Sequence, residues 1–305
     1  MADISDHLAD PATTIWLDLL RPDAKDLAVL GDEFGLHPLA VEDAMDEHQR
    51  PTLDRYKSHF FLRSYMARLD DRTGGLVTSE ISAFITDRAL VTVRTDEHFE
   101  MATVVERWDR NSDLAIHGVG YLIQGLIDVV VDSHFLTVQA LDDEIDRLED
   151  QLFDDSPSDR DFQRRSFELR KSLAVLRRVV LPMREVVNTL LRRDLTLVDE
   201  HLEPYYQDIY DHVLRATEWT ESLRDLVTTI LETNLTIQGN RMNTISKKVT
   251  SWAAIIAVPT FITGFAGMNL PYPGFSNHWG LLGMVTAMVV SPVLLYLSFK
   301  HRDWL

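Results

Sequence analysis

Cysteine is absent from the 305 residues. That excludes a disulfide framework, a thiolate metal centre and a thiol nucleophile. There is no glycine-rich phosphate loop, no strand–Gly-x-Ser-x-Gly elbow and no His-Glu-x-x-His motif, so the sequence carries no recognisable catalytic constellation. Base is scarce beside acid: 30 Lys and Arg stand against 48 Asp and Glu, a net charge of −18. Such a surface repels phosphate backbones and argues against a nucleic-acid partner; it suits cations, or simply solubility. The opening Met1-Ala-Asp-Ile-Ser-Asp6 is acidic with no apolar run behind it. No signal peptide is expected there, and the N-terminus is expected to stay in the cytoplasm.

The most informative absence is local. Between Lys248 and Lys300 there is no Lys, Arg, Asp or Glu. One polar, proline-bearing segment, Asn269-Leu-Pro-Tyr-Pro-Gly-Phe-Ser-Asn-His278, interrupts the run. Residues 249–268 and 279–299 are each about 20 residues long, enough to cross a hydrocarbon layer of roughly 30 Å as helices. Lys247, Lys248, Lys300 and Arg302 flank the run, and the turn has no basic residue. The positive-inside rule therefore puts both termini in the cytoplasm and residues 269–278 outside. Trp252, Trp279 and Trp304 fall near the expected interfaces.

The first span carries a pattern. Small or polar residues recur at Asn243, Ser246, Thr250, Ala253, Ala257, Thr260 and Gly264, in alternating steps of three and four that make one helical stripe. Two readings compete: close helix packing through small residues, or the lining of a central pore. The second span has no such stripe and reads as the outer, lipid-facing helix. Gly267-Met268-Asn269 ends the striped helix at its outer end. A ring of Asn269 carboxamides suits a hydrated divalent cation, since Mg²⁺ gives up its water reluctantly; the same Asn also fits a simple helix C-cap.

The remainder reads as two further regions. Strands are expected at 14–19, 60–68, 81–86 and 89–94, with helices at 23–34 and from Pro38, so the first part is a small α/β domain. From about Gly118 the chain is helical: one helix to near Phe153, a second from Asp159 to about Arg193 with a kink near Pro182, and a third from near Tyr205 into the membrane. If continuous to residue 268, the third is roughly 95 Å long. The expected class is an α+β/α membrane protein. Its parts are a cytoplasmic α/β domain (1–117), a cytoplasmic helical domain (118–204), a stalk helix (205–248) and a transmembrane hairpin (249–305) with spans at 249–268 and 279–299 and a basic tail. Acids cluster from Asp142 to Asp155, a run that reads first as a solvated helix face. Asp208 and His212, four apart, share a helical face able to hold a cation, or an ordinary ion pair.

Several motifs in order give the chain a resemblance to the CorA family of divalent-cation (Mg²⁺/Co²⁺) transport proteins over nearly its whole length. They are His37-Pro-Leu-Ala-Val-Glu-Asp43 with His48-Gln-Arg-Pro51, Leu141-Asp-Asp-Glu-Ile-Asp146, Pro182-Met-Arg-Glu185, Tyr205-Tyr-Gln-Asp-Ile-Tyr-Asp-His212, the Gly267-Met268-Asn269 triad and the tail Phe299-Lys-His-Arg-Asp-Trp-Leu305. The resemblance implies a funnel-shaped homopentamer, multi-pass in the plasma (inner) membrane. The resemblance further implies Mg²⁺ as both the transported and the regulatory ion, with no organic cofactor. The same resemblance moves the stripe toward pore lining, makes Asn269 the outer hydrated-ion ring and puts Glu232 near the cytoplasmic opening. It also implies that cytosolic Mg²⁺ bridges subunits at Glu42, Asp43 and Asp208, with His212 beside them. Two departures bear on ion choice. Ala266 stands where the family often has Tyr, and the segment Leu270-Pro-Tyr-Pro-Gly-Phe275 lacks the acid often found there. Relatives that move zinc also differ in this loop, so Zn²⁺, Co²⁺ or Ni²⁺ transport is the alternative. A non-conducting membrane sensor or scaffold is another.

Overall fold

The computed structural model describes residues 13–46, 49–70, 74–152, 159–192, 197–268 and 277–305. The chain divides into two compact units, Met1–Ile230 and Leu231–Leu305.

The first unit is built on a five-stranded sheet in the order β1-β5-β4-β3-β2. The strands are β1 (Ile15–Leu20), β2 (Thr52–Arg55), β3 (Phe60–Leu69), β4 (Leu76–Ile85) and β5 (Ala89–Arg94). β1 runs parallel to β5, and the other pairs are antiparallel. Both faces are covered, so β5 and the second half of β4 are buried at nearly every position. Phe61, Phe84, Val91 and Val93 enter one core with Leu27, Leu30 and Ala40 of helices α1 (Ala24–Phe34) and α2 (Pro38–Asp43). Leu62, Ile81, Ala83, Ile85 and Leu90 point the other way, into a larger core. Their partners come from α3 (Met101–Arg110), α4 (Val119–Leu152), α5 (Asp159–Leu190) and the start of α6 (Glu203–Gly267). This is period-two alternation feeding two layers of helices.

Local chemistry sets the helix starts. Asp23 caps α1 by accepting from the Lys25 and Asp26 amides at 2.8 Å, and Asp26 returns a bond from the Asp23 amide at 3.1 Å. Gly35, at φ 61°, ends it. Pro38 opens α2, where His37 Nδ1 accepts from the Leu39 amide at 3.2 Å.

Four elements differ from the sequence expectation. β4 begins at Leu76 rather than 81, because its polar first half finds buried partners: Glu80 is 7% exposed and pairs with Arg63 and Tyr65. β2 is a four-residue edge strand with two charges, too short and polar to read. α3 has no side-chain cap and is held by Met101, Val104 and Trp108. α5 ends at Leu190 and passes Pro182 as a single helix.

Helix α4 is sewn to the sheet where β2 runs out. β2 covers β3 only over Phe60–Arg63. Beyond it, the Tyr65 carbonyl accepts from His134 Nε2 at 2.7 Å, and the Ala67 carbonyl from Thr137 Oγ1 at 2.7 Å. The Ala67 amide donates to Ser133 Oγ at 3.2 Å. Side chains of one helix face thus satisfy an edge that would otherwise invite another strand.

Among the described residues, three helices are long and apolar enough to cross a membrane: α4, α6 and α7 (His278–His301). Their burial separates them. The most apolar window of α4 is 67% buried within the first unit, whereas those of α6 and α7 are 6% and 0% buried. α4 is a core helix; α6 and α7 present their apolar surface outward.

Candidate ion pathway and metal centres

In the second unit α6 and α7 meet along one face of each. On α6, Ser251 is buried and Ala254, Ile255, Val258, Ile262 and Ala266 are half-buried. On α7 the half-buried positions include Gly280, Met284, Met288, Ser291, Leu295 and Phe299, three or four apart. The Trp252 and Tyr296 rings lie 6.5 Å apart. All seven stripe residues (Asn243, Ser246, Thr250, Ala253, Ala257, Thr260 and Gly264) are exposed. At about 100° per residue they fall on the side of α6 nearly opposite its α7-facing side. Packing against α7 therefore does not explain the stripe.

The stripe also keeps its oxygens available. Thr260 Oγ1 donates to the Ile256 carbonyl at 2.8 Å, which spends its proton inside the helix and leaves its lone pairs outward. Nothing lies within 4 Å of a Cβ built on Gly264 or Gly267. α6 ends at Gly267, and the Met268 amide donates to the Phe265 carbonyl at 3.2 Å. Asn269 and the loop to 276 lie outside the described residues, as does His48 of the N-terminal motif. Asn277 caps α7 by accepting from the Trp279 amide at 3.3 Å. Glu232 is exposed, and its carbonyl accepts from Thr236 Oγ1 at 2.9 Å. The tail folds back on α7, with Trp304 stacked on Phe299 at 5.7 Å.

The carboxylates of the first unit have distinct settings. Glu42 is exposed and Asp43 half-buried at the end of α2. That end is clamped by Arg63, 1% exposed, whose guanidinium donates to the Asp43 carbonyl and lies 3.0 Å from Glu80. The Tyr65 hydroxyl shares its one proton between Glu80 at 2.9 Å and the Gln49 carbonyl at 2.7 Å, so one buried network holds both halves of the N-terminal motif. Burial, then Glu80, pushes the Tyr65 phenol up. Removing one partner of such a buried pair typically costs about 3–5 kcal/mol.

Asp208 is exposed on α6 and His212 half-buried, its ring 6.4 Å from that of Phe135. Their neighbour on α4 is Asp128, which, like Asp132, pairs with Arg107 of α3. The Asp128 carboxyl is raised from its ordinary value chiefly by burial, against the pull of Arg107; Asp132 and Asp208 add to the rise and His212 opposes it. Sequence reasoning missed Arg107, Asp128 and Asp132, whose spacing signals only helix faces. Within one chain, among the described residues, Glu42, Asp43, Asp208 and His212 do not gather into one ligand cluster. The cluster that does form is His117, Asp199 and His201, which no sequence pattern announced. The acids Asp142–Asp150 line the outer side of α4, while Leu141, Ile145 and Leu148 point inward, as a solvated face requires.

A charged three-layer α/β/α unit, continued by one helix into an unburied apolar hairpin with a polar stripe, has the architecture of a membrane protein. The profile of the CorA-like Mg²⁺ transporter protein family matches residues 11–301, and the chain belongs to that family of divalent-metal transporters. It is 30% identical to the cobalt/magnesium transport protein CorA of Thermotoga maritima, over 97% of this chain and 85% of that protein. It is 26% identical to the zinc transport protein ZntB of Yersinia enterocolitica, over 98% and 90%. The fold matches the structure of the CorA magnesium transporter from Methanocaldococcus jannaschii with a TM-score of 0.79 at 22% identity, over 96% of this chain and 92% of that one.

Proposed function

We propose that the protein is a homopentameric channel of the plasma membrane that carries Mg²⁺ inward down its electrochemical gradient. The observation that carries this reading is the exposed stripe from Asn243 to Gly264, turned away from α7 in each chain. Five copies around an axis would enclose it as a pore, with Glu232 near the cytoplasmic opening and Gly267-Met268-Asn269 at the outer mouth. In this reading residues 1–117 and 118–204 are cytoplasmic domains, 205–248 a stalk and 249–305 the hairpin, with both termini inside. Lys247, Lys248, Lys300 and Arg302 support that orientation.

Gating follows from the carboxylates. Cytosolic Mg²⁺ bridges Glu42 and Asp43 of one subunit to Asp208 and His212 of the next and holds the channel closed. When it leaves, the facing charges repel and the subunits splay. α6 carries both Asp208 and the stripe, so one helix is common to sensor and pore.

Mg²⁺ entry into proteoliposomes tests the mouth: Asn269→Ala should lose most of the flux, and wild-type flux in that variant defeats the assignment. Asp43→Lys with Asp208→Lys should abolish closure by internal Mg²⁺; unchanged inhibition removes the bridge. The acid-free loop 270–275 supports a second reading, transport of Zn²⁺, Co²⁺ or Ni²⁺ by the same architecture. Ion competition in the same assay separates the two, and intact oligomers passing no divalent ion would point to a sensor or scaffold.

A further inference from the structure

His117 closes the 3₁₀ turn Ser112–His117, and Asp199 lies 82 positions later in the segment leading into α6. Asp199 Oδ2 is 2.9 Å from His117 Nδ1, and its Oδ1 is 3.0 Å from His201 Nδ1. The two imidazoles stack with centroids 5.3 Å apart. One ligand atom from each residue lies within 4.8 Å of the other two.

The two distant segments are fixed to each other by backbone. A Cβ on Gly120 would stand 2.8 Å from the Leu197 carbonyl oxygen and 3.1 Å from Leu202 Cδ1, so only glycine permits this approach. Tyr206 Oη, fully buried, donates to the Gly120 carbonyl at 2.8 Å. The Leu202 amide donates to the Asp199 carbonyl at 2.9 Å, and Leu202 is itself fully buried. Gly118, at φ 63°, turns the chain directly after His117. The three side chains are thus delivered by a pinned crossing and not by a free loop.

We propose that His117, Asp199 and His201 form a binding site for a borderline-soft transition cation of the Zn²⁺, Co²⁺ or Ni²⁺ class. Two imidazole nitrogens and one carboxylate oxygen are the donors such ions prefer, whereas Mg²⁺ takes oxygen donors and water. Ligands at about 2.0–2.1 Å in a tetrahedron stand roughly 3.3 Å from each other, so donors now 2.9 and 3.0 Å apart need little movement. His117 is only 11% exposed, while His201 is 78% and Asp199 45% exposed, which leaves room for water to complete the coordination. The site shares no residue with the stripe or with the Glu42, Asp43, Asp208 and His212 set. It gives the protein a means of reading transition ions against a background of Mg²⁺.

The test is Co²⁺ titration of the purified full-length protein in detergent, with Mg²⁺ in large excess, followed by visible absorption. One Co²⁺ per chain should give the intense bands of a low-coordinate nitrogen–oxygen site and be displaced by Zn²⁺ but not by Mg²⁺. His201→Ala and, separately, His117→Gln should each weaken it roughly 100-fold or more, beyond the 10–100-fold that loss of outer-shell support alone produces. Because His201 is largely exposed, its variant should unfold at the wild-type temperature without metal. Unchanged Co²⁺ spectra and affinity in both variants, Mg²⁺ displacement, or no Co²⁺ bound by the wild type would each overturn the proposal.

Discussion

His134 illustrates how a single buried group ties stability to pH. It is fully buried, its Nε2 must carry the proton donated to the Tyr65 carbonyl, and its Nδ1 has no partner among the described residues. A second proton would land on that buried nitrogen, so burial lowers its pKa to about 4 from an ordinary 6.5. The unfolded chain then binds the extra proton first. The contribution is fully present above pH 6.5 and is lost as pH falls from there toward 4. Thermal unfolding of the detergent-purified protein should therefore move to lower temperature across that window. In His134→Gln, whose amide can still donate to Tyr65, the acid loss should be smaller by about 2–3 kcal/mol. An identical pH profile in wild type and variant would exclude His134 as the titrating group. His59, lowered by burial and then by His37, titrates in the same sense and remains in both proteins.

At the scale of elements, α3 shows packing that no periodicity reveals. Trp108 donates from Nε1 to the Leu122 carbonyl at 3.1 Å and meets Trp16 edge-on at 4.8 Å. Its ring fills the notch at Gly125, where a Cβ would come within 2.4 Å of Nε1. Gly125→Ala should cost roughly 1–3 kcal/mol by overpacking, read as a lowered unfolding midpoint. Trp108→Phe in the same chain should recover part of the loss. α6 and α7 give the contrasting case of exposed positions on two helices. Thr260→Leu and Gly264→Leu should fold normally, since both sites are open in the chain, yet reduce ion flux at least tenfold by filling the pathway. Gly283→Leu on α7, also exposed and with nothing within 4 Å of its Cβ, should leave flux unchanged. Equal flux in all three variants would make the stripe a packing surface. The hairpin and stripe were legible in the sequence because missing charge and a three–four rhythm are one-dimensional signals. The sheet was legible where apolar runs are continuous, and not at Leu76–Glu80, where polarity is satisfied by Arg63 and Tyr65 from another strand. The His117–Asp199–His201 cluster was illegible for the same reason: its meaning lies in a contact made through Gly120.

At the scale of the whole molecule, the uneven distribution of charge bears on energetics. The acids lie outside the uncharged run, and the described hairpin offers a cation hydroxyls, amides and backbone in place of countercharge. On the proposed channel reading, a neutral pathway takes its driving force from the membrane potential and the ion gradient. For a divalent ion the potential contributes about 4.6 kcal/mol per 100 mV. At equilibrium that corresponds to an inside-to-outside ratio of roughly three orders of magnitude. Proteoliposomes holding a K⁺ diffusion potential, inside negative by 100 mV, should therefore accumulate Mg²⁺ far above the external level. Clamping the potential to zero should let uptake stop at equal concentrations, and reversing it should drive the ion out of loaded vesicles. Accumulation that persists at zero potential without a Mg²⁺ gradient would require an energy source that a passive pore lacks, and would rule out the channel reading whatever ion the mouth prefers.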